Sequence, residues 1–435
     1  MRKKLLMIML ASALMVGLTS SCAKHNLAEP SEPTQPAEQP AEQPAEQPAE
    51  QPAEQPDEQP AEPAEPAPPT PEEQAAKTLA SMTLNEKLGA MIIAGVDGTK
   101  ASASARRMIE RQHVGGVIFY GNNVKTPATV AAYVNQLKAW NKGNASPLLV
   151  TVDEEGGRVS RLPGLVKFPS GRVVGDSGDR AYASQIGGLL GQASKTMGFN
   201  VDFAPVLDIN SNPDNPVIGD RSFGATAEVV TQMGTAVMDG LQAAGVIPVV
   251  KHFPGHGDTS VDSHLELPVV NKSLKQLQAF EWVPFRAAIK EGADAVMIAH
   301  ILFPKIDKDV PASLSRAIIT DELRGELGFK GVVMTDDLTM GAISDHYGMG
   351  EAAVLSVKAG SDILLVAHEY ENVDAILAAL TNSVARGDIS EARIDESVKR
   401  ILMLKQKYKL SDAKTSSIPD LSALNDEIRK VEASY

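Results

Sequence analysis

The side chains best suited to chemistry in this 435-residue chain crowd into Lys251–Pro268, KHFPGHGDTSVDSHLELP. The stretch holds three of the eight histidines, with two aspartates and a lysine. It follows the apolar run Val246–Val250 and precedes a helical pattern, so it reads as a polar loop at the end of a strand, the kind that carries function disproportionately often. Within it, Asp262 and His264 stand two apart, which puts both side chains on one side of an extended loop. The aspartate can then accept from one imidazole nitrogen, fix the tautomer and leave the other nitrogen as a proton carrier. A polar pair that merely stabilises the loop is the competing reading.

Other ionisable residues extend the set. Asp336 and Asp337 end the apolar run GVVMTD. Strand neighbours point to opposite sides, so one of the two is expected to face inward. Such a carboxylate serves as nucleophile, electrostatic stabiliser or metal ligand, or else as a helix cap. Lys251 and His252 suit hydrogen bonding to sugar hydroxyls, as do Arg221 and Asp153, the latter braced by Arg158. Each of these also fits a structural salt bridge. His252, His256, His264 and Asp258 match no zinc spacing template, and no metal or cofactor is expected.

The elements that must position these residues alternate. Apolar runs at Met91–Gly95, Gly116–Tyr120, Leu148–Asp153, Val201–Pro205, Val246–Phe253, Ala293–His300, Gly331–Asp336 and Asp362–Ala367 are separated by helical patterns. The expected helices include Pro127–Lys142, Ala181–Met197, Thr226–Ala244, Leu274–Glu291, Leu314–Leu327, Glu371–Arg386 and Glu391–Tyr408. Strands apolar on both faces indicate a parallel sheet under helices. Strict alternation over this length predicts an α/β fold of the (β/α)8 TIM-barrel type. An open doubly wound sheet is the runner-up, but no GxGxxG opens a helix. A barrel gathers catalytic groups at the C-terminal ends of its strands. Those ends carry Asp153-Glu154-Glu155, Asp208, Lys251-His252, His300, Asp336-Asp337 and His368.

The chain ends differ from this core. Arg2, Lys3 and Lys4 precede an apolar Leu5–Leu18 too short for a comfortable membrane span, as in an export signal. Cys22, the only cysteine, follows at once and excludes internal disulfides. It resembles the acylated residue of a bacterial lipoprotein, with leucine four rather than three places before it. Residues 23–72 are of low complexity, with Gln-Pro-Ala-Glu recurring from Gln35 to Gln59, and cannot bury enough surface to fold. An extended tether reaching on the order of 150 Å is expected. Twelve carboxylates against one lysine between Lys24 and Glu72 carry most of the chain's net charge of −14. The remainder is mildly acidic with no basic stripe, which argues against nucleic acid as a partner. The expected organisation is a lipoprotein signal (1–22), a linker (23–72), a catalytic barrel (73–411) and a C-terminal tail (412–435). The expectation is an exported monomer, lipid-anchored to a bacterial membrane through Cys22.

The segment KHFPGHGDT followed by DSH resembles the signature of glycoside hydrolase family 3 β-N-acetylhexosaminidases, the bacterial members acting on peptidoglycan fragments being most similar. VDEEGGR (Val152–Arg158), FAPVLD (Phe203–Asp208), RSFG (Arg221–Gly224) and TDDLTM (Thr335–Met340) resemble further motifs of the family. The resemblance covers residues 75–410 and implies a (β/α)8 barrel that removes terminal β-linked N-acetylglucosamine with retention. It implies Asp336 as nucleophile, His264 as general acid/base oriented by Asp262, and Asp153, Arg221, Lys251 and His252 as sugar-binding residues. Glu154 departs from the family, where glutamine is more usual. β-Glucosidase and phosphorylase activities in the same family, and a non-catalytic sugar-binding lipoprotein, are the competing functions.

Overall fold

The computed structural model describes residues 69–416 and 420–435. The signal, Cys22 and nearly all of the linker lie outside the described residues. Eight parallel strands close into a barrel in chain order: β1 Ile92–Gly95, β2 Gly116–Phe119, β3 Leu149–Val152, β4 Val201–Asp202, β5 Ile247–Phe253, β6 Ala295–Ile298, β7 Val332–Asp337 and β8 Ile363–Val366. The ring closes where Ile92 pairs with Leu364. Every strand residue is buried except Asp336. The continuous apolar runs are therefore explained by helices outside and side chains inside. Among the described residues no helix is long and apolar enough to cross a membrane.

Several helices begin where the sequence supplies caps. The Thr83 hydroxyl accepts from the Glu86 amide and the Glu86 carboxylate accepts from the Thr83 amide, which satisfies donors that the first turn leaves open. The helices Arg180–Thr196 and Ala227–Ala243 pack with backbones nearly touching. A Cβ on Gly187 would lie 2.2 Å from the Val237 carbonyl, so only glycine permits this approach. On the inner side of the helical layer, Phe253 at the end of β5 packs edge-on to Phe285 at 5.3 Å.

Two expected helices depart from their pattern. The single helix expected over Leu274–Glu291 is two, Leu274–Ala279 and Trp282–Lys290. Pro284 has no N–H to donate to the Phe280 carbonyl, and its ring collides with that carbonyl in a continuous helix, so the chain breaks at Phe280. The segment expected as a helix over Leu314–Leu327 is a short 3-10 turn, Ala312–Leu314, followed by a wide π-type helix, Ala317–Glu326. Beyond Tyr408, where periodicity assigns no element, Ser422–Glu432 forms a helix that buries Leu424 and Ile428. Asn425 there bonds the Val166 amide and the Gly164 carbonyl, so this helix buttresses the loop after β3.

Asp362, fully buried just before β8, organises a cationic cluster. Its carboxylate accepts from Arg324 at 2.6 Å, Arg400 at 3.0 Å and Ser397 at 2.6 Å, with Arg393 at 3.7 Å. Removing it takes the shared buried counter-charge from three largely buried guanidinium groups. Asp362→Ala is expected to cost about 3–5 kcal/mol, read from urea unfolding. A loss under about 1 kcal/mol, the worth of an exposed pair, would contradict this account.

Candidate active site

A cavity of about 370 Å³ opens at the C-terminal ends of the strands. Ile118, Phe203, Met297 and Leu365 form its apolar floor, and Asp153, Arg161, Arg221, Lys251, His252, His256, His264, Asp336, Asp337 and His368 line it with polar groups. Six of the residues expected at a site, Asp153, Arg221, Lys251, His252, His264 and Asp336, thus reach one cavity from four different strand ends and their loops.

The β3 and β5 ends meet through charge. Lys251 Nζ lies 2.7 Å from both Asp153 and Glu155, and Arg221 grips Glu155 through Nε at 2.8 Å and a terminal nitrogen at 2.7 Å. Burial works against ionising Glu155, but Arg221 and Lys251 outweigh it and hold this carboxyl well below the usual range. Burial likewise opposes the Lys251 charge, and Asp153 and Glu155 overcome it and raise its pKa. Asp153 is therefore braced by Lys251. Arg158, expected in that place, instead pairs with Asp220 at 3.0 Å and caps the Val217 and Ile218 carbonyls.

Next to this cluster His252 Nδ1 lies 2.6 Å from Asp208, whose carboxylate also accepts the amides of His252 and His256. Asp208 therefore holds Nδ1–H and turns Nε2 toward the cavity. Burial raises the Asp208 carboxyl, but His252 and the His256 amide reverse this and leave it below its ordinary value. The rim expectation includes Glu155 and Asp208 without a role for either. Their partners come from elements far apart in the chain, so no local spacing shows what they do.

The strand-seven pair corrects the expectation that one aspartate faces away. Both line the cavity, because the β7–β8 register shifts between Met334 and Asp337 and breaks the alternation. A matching shift between Val250 and Phe253 lets Lys251 and His252 face the cavity together. The two aspartates differ in what they hold. Asp337 accepts from the Thr339 amide and hydroxyl and from the Ala367 amide at 2.7–3.0 Å. Asp336 accepts only the Asp337 amide, at 2.8 Å, among the described residues. Burial opposes its ionisation, but His252, His300 and that amide keep it below the usual carboxylate value. A spare, ionised oxygen at the cavity wall is what a nucleophile requires. His300, buried behind it, bonds Ser313 and the Asp337 carbonyl and steadies the strand end.

His264 occupies the mouth and is largely exposed, with Nδ1 2.7 Å from Asp262. Asp262 also accepts the His264 amide at 2.9 Å, so it orients the ring from behind while Nε2 stays open. The loop is stitched to the strand-seven side by the Gly341 and Ala342 amides, which donate to the carbonyls of His264 and Ser263.

Spacing did not single out Arg161. The Glu154 carboxylate, buried away from the cavity, takes the Arg161 amide at 2.6 Å and the Leu162 amide at 2.9 Å, together with the Ser160 hydroxyl. That grip presents the Arg161 guanidinium to the cavity, and its Nε has no partner among the described residues. A glutamate in place of glutamine thus leaves Asp153 untouched. Among the described residues no cluster of three potential metal ligands forms. Asp258 turns instead to Lys272 at 3.0 Å.

Asp208 allows a test of this electrostatic frame. A carboxyl whose folded-state pKa is depressed stabilises fully above its unfolded value, and the contribution fades as pH falls through the depressed one. Asp208→Asn is expected to be less stable than the parent at pH 7, with the gap narrowing below about pH 4. A gap that stays constant from neutral to acid pH in urea titrations would refute it.

Residues 83–404 match the family described as "Glycosyl hydrolase family 3 N terminal domain". "Beta-hexosaminidase LpqI" of Mycobacterium tuberculosis is 36% identical over 353 residues, covering 80% of this chain and 89% of that protein. "Beta-hexosaminidase A" of Pseudoalteromonas piscicida is 34% identical over 352 residues, 75% of this chain but only 58% of that longer protein. Among solved structures, a glycoside hydrolase family 3 beta-N-acetylglucosaminidase from Paenibacillus sp. str. FPU-7 superposes with a TM-score of 0.77 at 45% identity, over 81% of this chain and 68% of that one. A family match across most of the chain, on a closed eight-stranded barrel, leaves one conclusion: the chain belongs to glycosyl hydrolase family 3.

Proposed function

We propose that the protein is a retaining exo-β-N-acetylhexosaminidase acting on terminal β-linked N-acetylglucosamine in peptidoglycan fragments or chitooligosaccharides. The coarser part of this reading, β-N-acetylhexosaminidase activity, rests on the family and on relatives of that name. The finer part rests on one observation. A carboxylate with a spare ionised oxygen, Asp336, lines the same cavity as an imidazole whose far nitrogen is tied to Asp262 and whose near nitrogen is open.

In the first step an Asp336 oxygen attacks the anomeric carbon as the glycosidic C–O bond breaks, and His264 Nε2 gives its proton to the departing oxygen. In the second, the same nitrogen takes a proton from water, the water oxygen attacks the anomeric carbon, and Asp336 leaves. Most retaining glycosidases divide this work between two carboxyl groups; the Asp262–His264 pair takes the acid's part here. Asp262 stabilises the imidazolium: burial opposes its ionisation, but the His264 amide and ring keep its carboxyl below the ordinary value. Asp153, Arg221, Lys251 and His252 serve the sugar hydroxyls, with Arg161 as a further donor. A cavity closed below by Ile118 and Phe203 suits the end of a chain rather than its middle. Attachment to the membrane through Cys22 belongs to the same proposal.

Asp336→Asn is expected to lose activity on an aryl N-acetylglucosaminide by on the order of a thousandfold, with no glycosyl adduct in the intact mass. Near-parental turnover would overturn the nucleophile. His264→Ala is expected to spare kcat/KM for a dinitrophenyl leaving group, which departs unprotonated, and to lose about a hundredfold or more on a disaccharide. Equal loss on both substrates would remove the acid role. Running the parent with and without phosphate distinguishes hydrolysis from phosphorolysis by the sugar product. A Cys22→Ser chain that still partitions with membranes would dismiss lipid attachment at that residue.

A further inference from the structure

His256 is buried at the back of the cavity, and the mechanism above gives it nothing to do. Its ring is nonetheless fully engaged. Nδ1 lies 2.8 Å from the Thr259 hydroxyl and Nε2 lies 3.1 Å from the Ser263 hydroxyl. The proton positions follow from the partners. Thr259 has one hydroxyl hydrogen, which goes to the His256 carbonyl at 2.9 Å. Its oxygen must then accept, so His256 carries its proton on Nδ1. Nε2 is left as an acceptor, and Ser263 donates to it. Burial, with His252 close by, pushes the His256 ring down to about 4, so it is neutral at physiological pH and this arrangement persists.

Ser263 is the residue between Asp262 and His264. It is 2% exposed, whereas the flanking side chains of Asp262 and His264 are 35% and 64% exposed. The loop is thus open on both sides of one buried serine. On the protein side, the His256 amide donates to Asp208 at 2.6 Å, the same carboxylate that holds His252 Nδ1. Asn215 clamps the turn by donating to the His256 carbonyl and the Thr259 hydroxyl. A continuous path therefore runs from the sugar-facing His252 through Asp208 and His256 to Ser263.

We infer that His256 is a positioning residue: by accepting from Ser263 it latches the loop so that Asp262 and His264 are presented together to the leaving oxygen, in register with His252. The inference rests on His264 being the acid/base. Through-residue positioning is effective because proton transfer is steep in distance, and beside the backbone contacts from Gly341 and Ala342 the Ser263–His256 bond is the buried side-chain anchor between Asp262 and His264. The exposed Leu265 beside His264, 71% accessible, supplies no packing that would replace the latch.

Ser263→Ala removes only the hydroxyl and leaves the His256 ring in place. Its kcat/KM on N,N′-diacetylchitobiose is expected to fall about tenfold or more, while kcat/KM for a dinitrophenyl N-acetylglucosaminide stays within about twofold. Azide, an anion that needs no base, is expected to raise kcat of the variant on the dinitrophenyl substrate and to form the glycosyl azide. His256→Leu, which keeps bulk but cannot accept, is expected to show the same split between leaving groups. Proportionate loss on both substrates, or no loss on either, overturns the latch. His264→Ala run alongside separates the two readings. If it shows the leaving-group split and Ser263→Ala does not, the latch alone fails. If neither shows it, the acid/base assignment falls and the latch with it.

Discussion

A lysine ammonium with almost no contact with water sits between two carboxylates at the rim of the barrel, and the cavity above the strands depends on that arrangement. A buried charge is costly unless its neighbours neutralise it. Lys251 is balanced by Asp153 and Glu155, and Glu155 in turn is gripped by Arg221. None of these groups can move alone without stranding another. The cluster ties the ends of β3 and β5 to the loop that carries Arg221, and it fixes the directions of the side chains assigned to sugar hydroxyls. Pre-paired polar groups of this kind need little reorganisation when a ligand's hydroxyls arrive.

The two sides of the proposed reaction are built differently. The nucleophile side is held firmly: Asp336 lies at the end of a buried strand, His300 and Asp337 steady it from behind, and the His252 and His300 rings with the Asp337 amide keep its carboxyl below the ordinary value against burial. The acid/base side is a loop whose working ring faces solvent and whose neighbour alone is buried. Loops suit a group that must meet a leaving oxygen and then a water in the same place. The contacts from Gly341 and Ala342 to the carbonyls of His264 and Ser263 couple the loop to the strand-seven side. Nucleophile and acid are thus held to one frame, although Asp336 and His264 lie far apart in the chain.

The irregular places in the fold are where function concentrates. Register shifts in β5 and β7 bring Lys251 with His252, and Asp336 with Asp337, to the same cavity against the alternation of a regular strand. Away from the rim the barrel follows simple rules: apolar strands, capped helices, and glycines where helix backbones touch. Glu154 shows how a local substitution is absorbed. Its carboxylate lies away from the cavity, where it holds the backbone of the loop that bears Arg161.

Eight apolar runs in alternation with helical patterns were enough to read a (β/α)8 barrel, because a strand covered on both faces leaves its mark residue by residue. The rim residues were legible for the same reason, since polar groups at strand ends break those runs. Asp262 and His264 could be paired from their spacing alone, because their hydrogen bond is local. What spacing could not supply was any relation between distant segments. The bracing of Asp153 by Lys251 rather than Arg158, the hold of Asp208 on His252, and the different duties of Asp336 and Asp337 follow from contacts across the barrel. The break at Phe280 was written in Pro284 but hidden inside a helical pattern. Periodicity reports which face of a segment is apolar; which charge meets which depends on how the strands close, and closure is a property of the folded chain.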